Sequence, residues 1–241
     1  MKIIRLETTD STNNWIAQNE HNLPSTAMVW CDNQTAGRGQ RGNRWESAPG
    51  MNITASLIFH PLEFPAQRQF SISESIALAV KEFLETYGVR AKIKWPNDIY
   101  VGEGKICGIL VEHVVTGMNL SRTIAGVGIN INQTEFFSDA PNPVSLSMLT
   151  GKVYNLEVAV KTLGEIFEKY LSILSEGKSL HREFMESIWR GDEAYYMFRD
   201  CKQKEHLEAK IHDITEEGLL ILEGRAGERK SYSFKEVEFI L

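Results

Sequence analysis

The apolar positions of this chain change period several times, and each change marks an element. Ala27-Met-Val-Trp-Cys31 is a continuous apolar run and predicts a buried strand, while Asn52-Ile-Thr-Ala-Ser-Leu-Ile-Phe59 alternates and predicts a second. From Arg68 to Tyr87, Ile72, Ile76, Ala79, Val80, Phe83 and Leu84 fall on one stripe, which predicts an amphipathic helix closed by Gly88. The period then drops to two. Ala91-Lys-Ile-Lys-Trp95 puts Lys92 and Lys94 on one face and Ile93 and Trp95 on the other, and Pro96, lacking an amide to donate, ends the ladder. Ile99 to Val101, Ile106 to Val115 and Thr123 to Ile131 continue as strands, joined by Gly102-Glu-Gly104 and Thr116-Gly-Met-Asn119. The core is expected to be a sheet.

Helices frame that sheet. Asp10-Ser11-Thr12 supplies the oxygen-bearing side chains that satisfy orphan amides, and so predicts the start of a short helix. Residues 132 to 151, with Pro141 and Pro143, read as a loop holding a short helical piece near Leu146. Leu156 to Glu176 predicts a helix capped by Asn155 and stopped by Gly177, and Leu180 to Arg190 another, stopped by Gly191. Beyond it the pattern turns all-β: Ala209-Lys-Ile-His-Asp-Ile, Leu219-Leu-Ile-Leu and Lys230-Ser-Tyr-Ser-Phe are short strands separated by Glu217-Gly218 and the turn from Gly224 to Gly227, the pattern of a small barrel. The expected boundary divides residues 1–189 from 190–241. There are no internal repeats and no low-complexity tracts.

Composition narrows the chemistry. A chain of 241 residues with 42% hydrophobic and 24% charged residues has the make-up of a packed globular protein, long enough for a large domain and a small module. A formal net charge of -6 argues against a nucleic-acid partner, whose binding would rest on a basic face, so any anion site must be local. The N-terminus lacks the apolar core of a signal peptide and no run reaches the roughly 18 apolar residues of a membrane span, so a cytoplasmic location is expected, with no membrane partner. Cys31, Cys107 and Cys201 are widely spaced and read as small buried hydrophobes, and the six histidines show no metal-ligand spacing.

Candidate chemistry concentrates in four stretches: Ser11-Thr12-Asn13, the run from Gln34 to Trp45, Lys94-Trp-Pro-Asn-Asp98 with Lys105 beyond it, and Gly126-Val-Gly-Ile-Asn130. Gly37, Gly39 and Gly42 spell G-x-G-x-x-G, but Pro49-Gly50 leaves no room for the helix that would present its amides to pyrophosphate, and no acid follows at the required distance. The glycines instead let a backbone pass close to a ligand, and Arg38, Arg41 and Arg44 between and beyond them call for an anion. Gly104-Lys105 is not a Walker A motif, since Ile99 and Ile106 occupy its other required positions. Taken singly, each stretch also has a structural reading: Ser11 and Thr12 as a helix cap, the arginines as a solvated face, Lys105 as a turn lysine.

Taken in order, the motifs S-T-N, G-R-G-x-R-G-x-x-W, K-W-P-N-D, K-x-x-G-I-L-V-E and G-x-G-I-N closely resemble one family, the biotin protein ligases, also called biotin-[acetyl-CoA-carboxylase] ligases. The resemblance runs in motifs from Ser11 to Asn130. It implies an α/β (α+β) fold with a central mixed sheet flanked by helices, a class II synthetase-like catalytic domain, and a small C-terminal SH3-like β-barrel. It also implies activation of biotin by ATP to biotinyl-5'-AMP, followed by transfer to a lysine of a biotin carboxyl carrier protein. Ten residues precede Ser11, so the form without a DNA-binding region ahead of the catalytic core is expected. The resemblance admits a homodimer.

By the family's pattern, Ser11, Thr12, Asn13 and Gln34 would hydrogen-bond the ureido ring of biotin. Gly37, Arg38, Gly39, Gln40, Lys105 and Gly108 would complete its site, with Arg38 and Lys105 at the carboxylate. Arg38, Arg41, Trp45, Lys94, Asn97, Asp98 and Asn130 would face ATP. Arg38, Lys105 and Asp98 are the expected catalytic residues, because bringing a carboxylate to a polyphosphate needs fixed cations and Mg²⁺, for which Asp98 is the expected ligand. Asp98 would also help the acceptor lysine, whose free pKa of about 10.4 leaves it mostly ammonium at neutral pH. Trp95 is expected in the core. The chain departs from several family members at Gln40, where they carry arginine, so a fixed charge on the acyl-adenylate must come from elsewhere, with Arg41 and Arg44 as candidates or as solvated loop charges. The rival readings are a lipoate or octanoate ligase, a biotin-dependent transcriptional regulator, and a non-catalytic adenylate-binding protein.

Overall fold

The computed structural model describes residues 1–137 and 142–240, with the backbone alone at Arg41. Pro141 of the expected loop lies outside the described residues. Strands β1 (Lys2–Thr9), β2 (Thr26–Gln34), β3 (Ile53–Phe59), β4 (Phe64–Pro65), β5 (Lys92–Lys94), β6 (Asp98–Val101), β7 (Gly104–Thr116) and β8 (Asn119–Ile129) form, among the described residues, an eight-stranded sheet. Its order is β1-β2-β3-β8-β7-β6-β5, with β4 beside β8. The sheet is mixed: β1 and β2 run parallel, and the pairs from β2 onward are antiparallel.

Side-chain alternation then decides what covers each face. Helix α1 (Thr12–Asn19) lies on one face, where Ile16 packs with Val29, Ile58 and Ile124. Helix α2 (Gln69–Glu85), the short α3 (Leu146–Thr150) and α4 (Leu156–Ser175) belong to the other side, where Ile72, Ile76, Phe83, Leu163 and Phe167 pack with Ala55, Leu57, Ile109 and Val127. Each fully buried aliphatic or aromatic side chain here contributes about 1.5–3 kcal/mol, so the apolar stripe of α2 suffices to fix it on the sheet. Asn155 caps α4 as expected, its Oδ1 accepting from Val158 N at 3.1 Å. Because α1 covers only part of its face, the rest is left open.

Helix α5 (His181–Glu186) is shorter than the expected Leu180 to Arg190. Its would-be second half is taken by β5: Ile93 N donates to Ser187 O at 2.9 Å and Trp189 N to Ile93 O at 2.8 Å, which pulls the chain out of helical geometry onto a free sheet edge. Five further strands, β9 (Tyr196–Asp200), β10 (Glu205–Ile214), β11 (Leu220–Gly224), β12 (Arg229–Tyr232) and β13 (Val237–Phe239), make an antiparallel sheet in the order β12-β11-β10-β9-β13. That sheet fits an SH3-like module. Its core residues Phe198, Ala209 and Leu220 belong to the same apolar cluster as α2 and α4. Polar ties reinforce the junction: His181 lies 2.7 Å from Glu74 on α2 and 2.9 Å from Asp213 on β10, and the Trp95 indole donates to Gly218 O at 3.0 Å. Among the described residues no helix is long and apolar enough to cross a membrane.

Candidate active site

The open part of the α1 face is floored by glycine. In register across the sheet stand Lys94 on β5, Asp98 on β6, Gly108 on β7, Gly128 on β8 and Thr54 on β3. Two residues along, on the same face, stand Leu110, Gly126 and Ser56. A side chain at these glycines has nowhere to go. A Cβ on Gly126 would collide with the Asn13 amide, one on Gly128 with the Trp45 indole, and one on Gly108 would sit 2.9 Å from Trp45 Cζ3. Over this floor opens a cleft of about 290 Å³.

One end of the cleft is neutral and hydrogen-bonding. Ser11, Thr12 and Asn13 are buried at the start of α1, but Ser11 makes no side-chain cap bond, so these residues are directed to the cleft and not to the helix. Thr12 donates from its amide to Gln34 Oε1 at 2.8 Å. The Thr12 hydroxyl also lies 2.6 Å from Ser56 Oγ, which donates to Asn13 Oδ1 at 2.5 Å. Asn13 Nδ2 donates in turn to Glu112 Oε2 at 2.7 Å.

The other end is cationic. Lys105 Nζ pairs with Asp98 Oδ1 at 2.6 Å, each side chain about one-fifth exposed. Lys94 Nζ donates to the Tyr100 hydroxyl at 2.9 Å and stands over the rings of Tyr100, Trp189 and Phe239 at 4.4, 5.2 and 5.4 Å. Burial pulls the Lys94 ammonium below the ordinary lysine range, against the opposing pull of Asp98. A third cation, Arg38, stands apart from these two, beside Asn13 and Asn14, on a loop that folds back on itself, with Gly39 N donating to Asn43 O at 2.8 Å and Trp45 N to Gly37 O at 3.0 Å. Its guanidinium donates to Glu112 Oε1 at 2.6 Å and to Asn14 Oδ1 at 2.6 Å.

The structure thus brings Ser11, Thr12, Asn13, Gln34, Arg38, Gly39 and Gln40 to one cleft with Trp45, Lys94, Asn97, Asp98, Lys105 and Gly108. Two expected residues do not line it. Gly37 sits behind the loop, where its bare Cα makes room for the Trp45 carbonyl, which a Cβ would approach to 2.5 Å. Asn130 stands just past the end of β8 and braces the strand bearing Lys105: its side chain donates to Val144 O at 3.0 Å, and Val144 N donates to Lys105 O at 2.9 Å. The side chain of Arg41 lies outside the described residues. Trp95 is 3% exposed and belongs to the core while also bordering the cleft.

Sequence reasoning missed Glu112, Asn14 and Ser56, and it missed Phe234, Val237, Glu238 and Phe239, which the C-terminal sheet contributes to the cleft wall. Two signals pointed to Glu112: it is the final acid of the K-x-x-G-I-L-V-E motif, and strand alternation puts it on a common face with Gly108 and Leu110. Among the described residues no three His, Cys, Asp or Glu side chains cluster as a metal site. The arrangement offers neutral donors to a polar ring at one end and fixed cations to anions at the other.

Residues 5–130 match the biotin/lipoate A/B protein ligase family. Over 233 residues, 95% of this chain and 70% of the relative, the chain is 32% identical to the bifunctional ligase/repressor BirA of Bacillus spizizenii. It is 31% identical over 172 residues, 68% of this chain and 71% of the relative, to the biotin–[acetyl-CoA-carboxylase] ligase of Paracoccus denitrificans. Among solved structures, the biotin protein ligase of Aquifex aeolicus in complex with biotin and ATP shares the fold at a TM-score of 0.79 and 23% identity, covering 98% of this chain and 97% of that one. With the family match spanning more than half of its length and a relative 32% identical over 95% of it, the chain belongs to the biotin/lipoate A/B protein ligase family.

Proposed function

We propose that the chain is a biotin–protein ligase. It activates biotin with ATP and passes it to a lysine of a biotin carboxyl carrier domain, acetyl-CoA carboxylase being the enzyme served. The observation that carries this reading is the single cleft that joins the neutral donors of Thr12, Asn13 and Gln34 to Lys105 and Lys94, with Arg38 bordering it beside Asn14 and Glu112. Thr12, Asn13 and Gln34 suit a neutral cyclic urea, which offers one acceptor oxygen and two N–H donors. Arg38 and Lys105 receive the carboxylate at the junction with the phosphates. A carboxylate oxygen of biotin attacks the α-phosphorus of ATP, forming the mixed anhydride biotinyl-5'-AMP and expelling pyrophosphate. The two cations neutralise the approach of two anions and the charge that builds on the phosphoryl oxygens.

Lys94 and Asn97 are assigned to ATP, with Trp45 and the glycine floor beside its base. Mg²⁺ is assigned to Asp98: a hard cation that keeps several waters needs one or two protein carboxylates, and it would offset polyphosphate charge. In the second half-reaction the neutral amine of the acceptor lysine attacks the acyl carbon and AMP leaves, and Asp98 is assigned to take the proton that the amine gives up. Gln40 gives the loop no charge of its own, so retention of the adenylate falls to Arg38 and Lys105. Residues 1–189 are assigned to this catalytic unit and 190–241 to a module that closes one wall of it, as the positions of Phe234 and Phe239 suggest.

Exchange of labelled pyrophosphate into ATP tests the activity and names the acid at once. Exchange is expected with biotin and not with lipoate, and lipoate-driven exchange in its place would overturn the reading. The depressed lysine gives a pH signature. If Lys94 binds ATP as a cation, the KM for ATP should climb as alkali removes its proton, beginning below the ~10.4 of a free lysine. Lys94→Arg keeps its charge throughout and should hold KM level over the same window. A wild-type KM that stays flat until the ordinary lysine range would remove Lys94 from the ATP site.

A further inference from the structure

We infer that Glu112 is a positioning residue: its one carboxylate fixes both the cation that meets the acid substrate and the amide that meets its ring. The inference rests on the proposed function. Arg38 rides on a loop whose flanking glycines, Gly37 and Gly39, give it little packing, so its direction must come from side-chain partners. Those partners are Glu112 and Asn14. Glu112 stands on β7, paired with Ile124 within an unbroken register with β8 from Cys107 to Val114, and is therefore held by regular strand pairing. One of its oxygens accepts from Arg38 Nη2 at 2.6 Å, and the other accepts from Asn13 Nδ2 at 2.7 Å and from Arg38 Nη1 at 3.4 Å. A planar guanidinium on a carboxylate is directional, unlike a point charge.

Through Asn13 the same carboxylate closes a chain of hydrogen bonds: the Thr12 amide donates to Gln34, the Thr12 hydroxyl to Ser56, the Ser56 hydroxyl to Asn13, and Asn13 to Glu112, which accepts from Arg38. The chain links the polar residues of the cleft to Arg38. Charge alone argues the other way, since an acid beside an anion site repels the anion it helps to bind. Its presence there is explained by geometry, and the two views predict opposite results.

The test is Glu112→Gln, which keeps the shape but turns one acceptor oxygen into a donor facing another donor. The pair is exposed, Arg38 and Glu112 at 41% and 37%, so its loss should leave the thermal melt nearly unchanged. Positioning predicts that the KM for biotin in pyrophosphate exchange rises roughly tenfold or more, the scale for losing a hydrogen bond to a charged group, while the KM for ATP moves less than about twofold. Glu112→Asp, which keeps both acceptor oxygens, should fall between, and it carries the same test should Glu112→Gln fail to fold. In an Arg38→Ala background Glu112→Gln should cost less than it does alone, because the contact to Arg38 is already gone and only that to Asn13 remains to be lost. A biotin KM that stays put or falls, or full additivity with Arg38→Ala, overturns the inference. Absence of biotin-dependent exchange in the wild-type protein would instead sink the proposed function, a separate outcome.

Discussion

Replacing Arg38 or Lys105 by Ala is expected to slow biotin-dependent adenylation by about a hundredfold or more, the scale for removing one charged contact to a transition state. The two residues reach the cleft from different elements, a folded-back loop and strand β7, and each is held by a carboxylate at 2.6 Å. Holding matters because a cation that must first be oriented stabilises less than one already in place. Neither substitution should unfold the chain, since both side chains are partly exposed and neither belongs to the apolar core. Lys105→Ala has a further consequence: Asp98 loses its partner and stands as an unbalanced acid beside the incoming polyphosphate. The defect of this variant should therefore be the larger of the two and should ease at raised Mg²⁺. Single-turnover formation of the acyl-adenylate gives the measurement, and wild-type rates in both variants would detach these cations from the chemistry.

How far the sequence anticipates the structure depends on where each element draws its stability. Helices α2 and α4 were legible because a continuous apolar stripe is local information, and the cap at Asn155 is local too. Strand β1 was not read: Ile3 and Ile4 are too few to set a period, and the strand exists because β2 offers it a parallel edge. Strands β9 and β13 were missed for the same reason, since three to five residues held by pairing across the chain leave no periodic trace. Helix α5 lost its second half to the edge of β5, a competition no local pattern displays. In the site, glycines and cations concentrated in short motifs were conspicuous. Glu112 reads in isolation as one more charged residue on an alternating strand, and only the fold sets it under Asn13 and Arg38. The contribution of Phe234 and Phe239 is likewise a product of packing, Phe234 against Trp95 with ring centroids 6.4 Å apart.

Gly128→Ala is expected to reduce kcat/KM for ATP about thirtyfold, equivalent to ~2 kcal/mol and within the range for forcing one extra carbon into a filled space. Gly128 lies within antiparallel β8, paired with Gly108 on one side and Thr54 on the other, so its backbone suits any residue and the effect cannot be strain. The obstacle is Trp45. An added methyl would overlap the Trp45 indole, which already lies across the glycine floor with its N–H buried and without a hydrogen-bond partner among the described residues. Trp45 must then lift off, carrying with it the end of the loop that bears Arg38, because Trp45 N is tied to Gly37 O at 3.0 Å. Biotin, whose ring end is assigned to the α1 side of the cleft, should suffer less, with its KM moving only a few-fold on the scale of a small shift in loop position. Pairing the change with Trp45→Ala separates the causes. With the indole gone the methyl has room, so Gly128→Ala should cost little beyond what Trp45→Ala already costs. A thirtyfold loss that persists in the double variant would place the ligand itself against Gly128, and a single variant with wild-type ATP kinetics would show that the floor takes no part in binding the nucleotide.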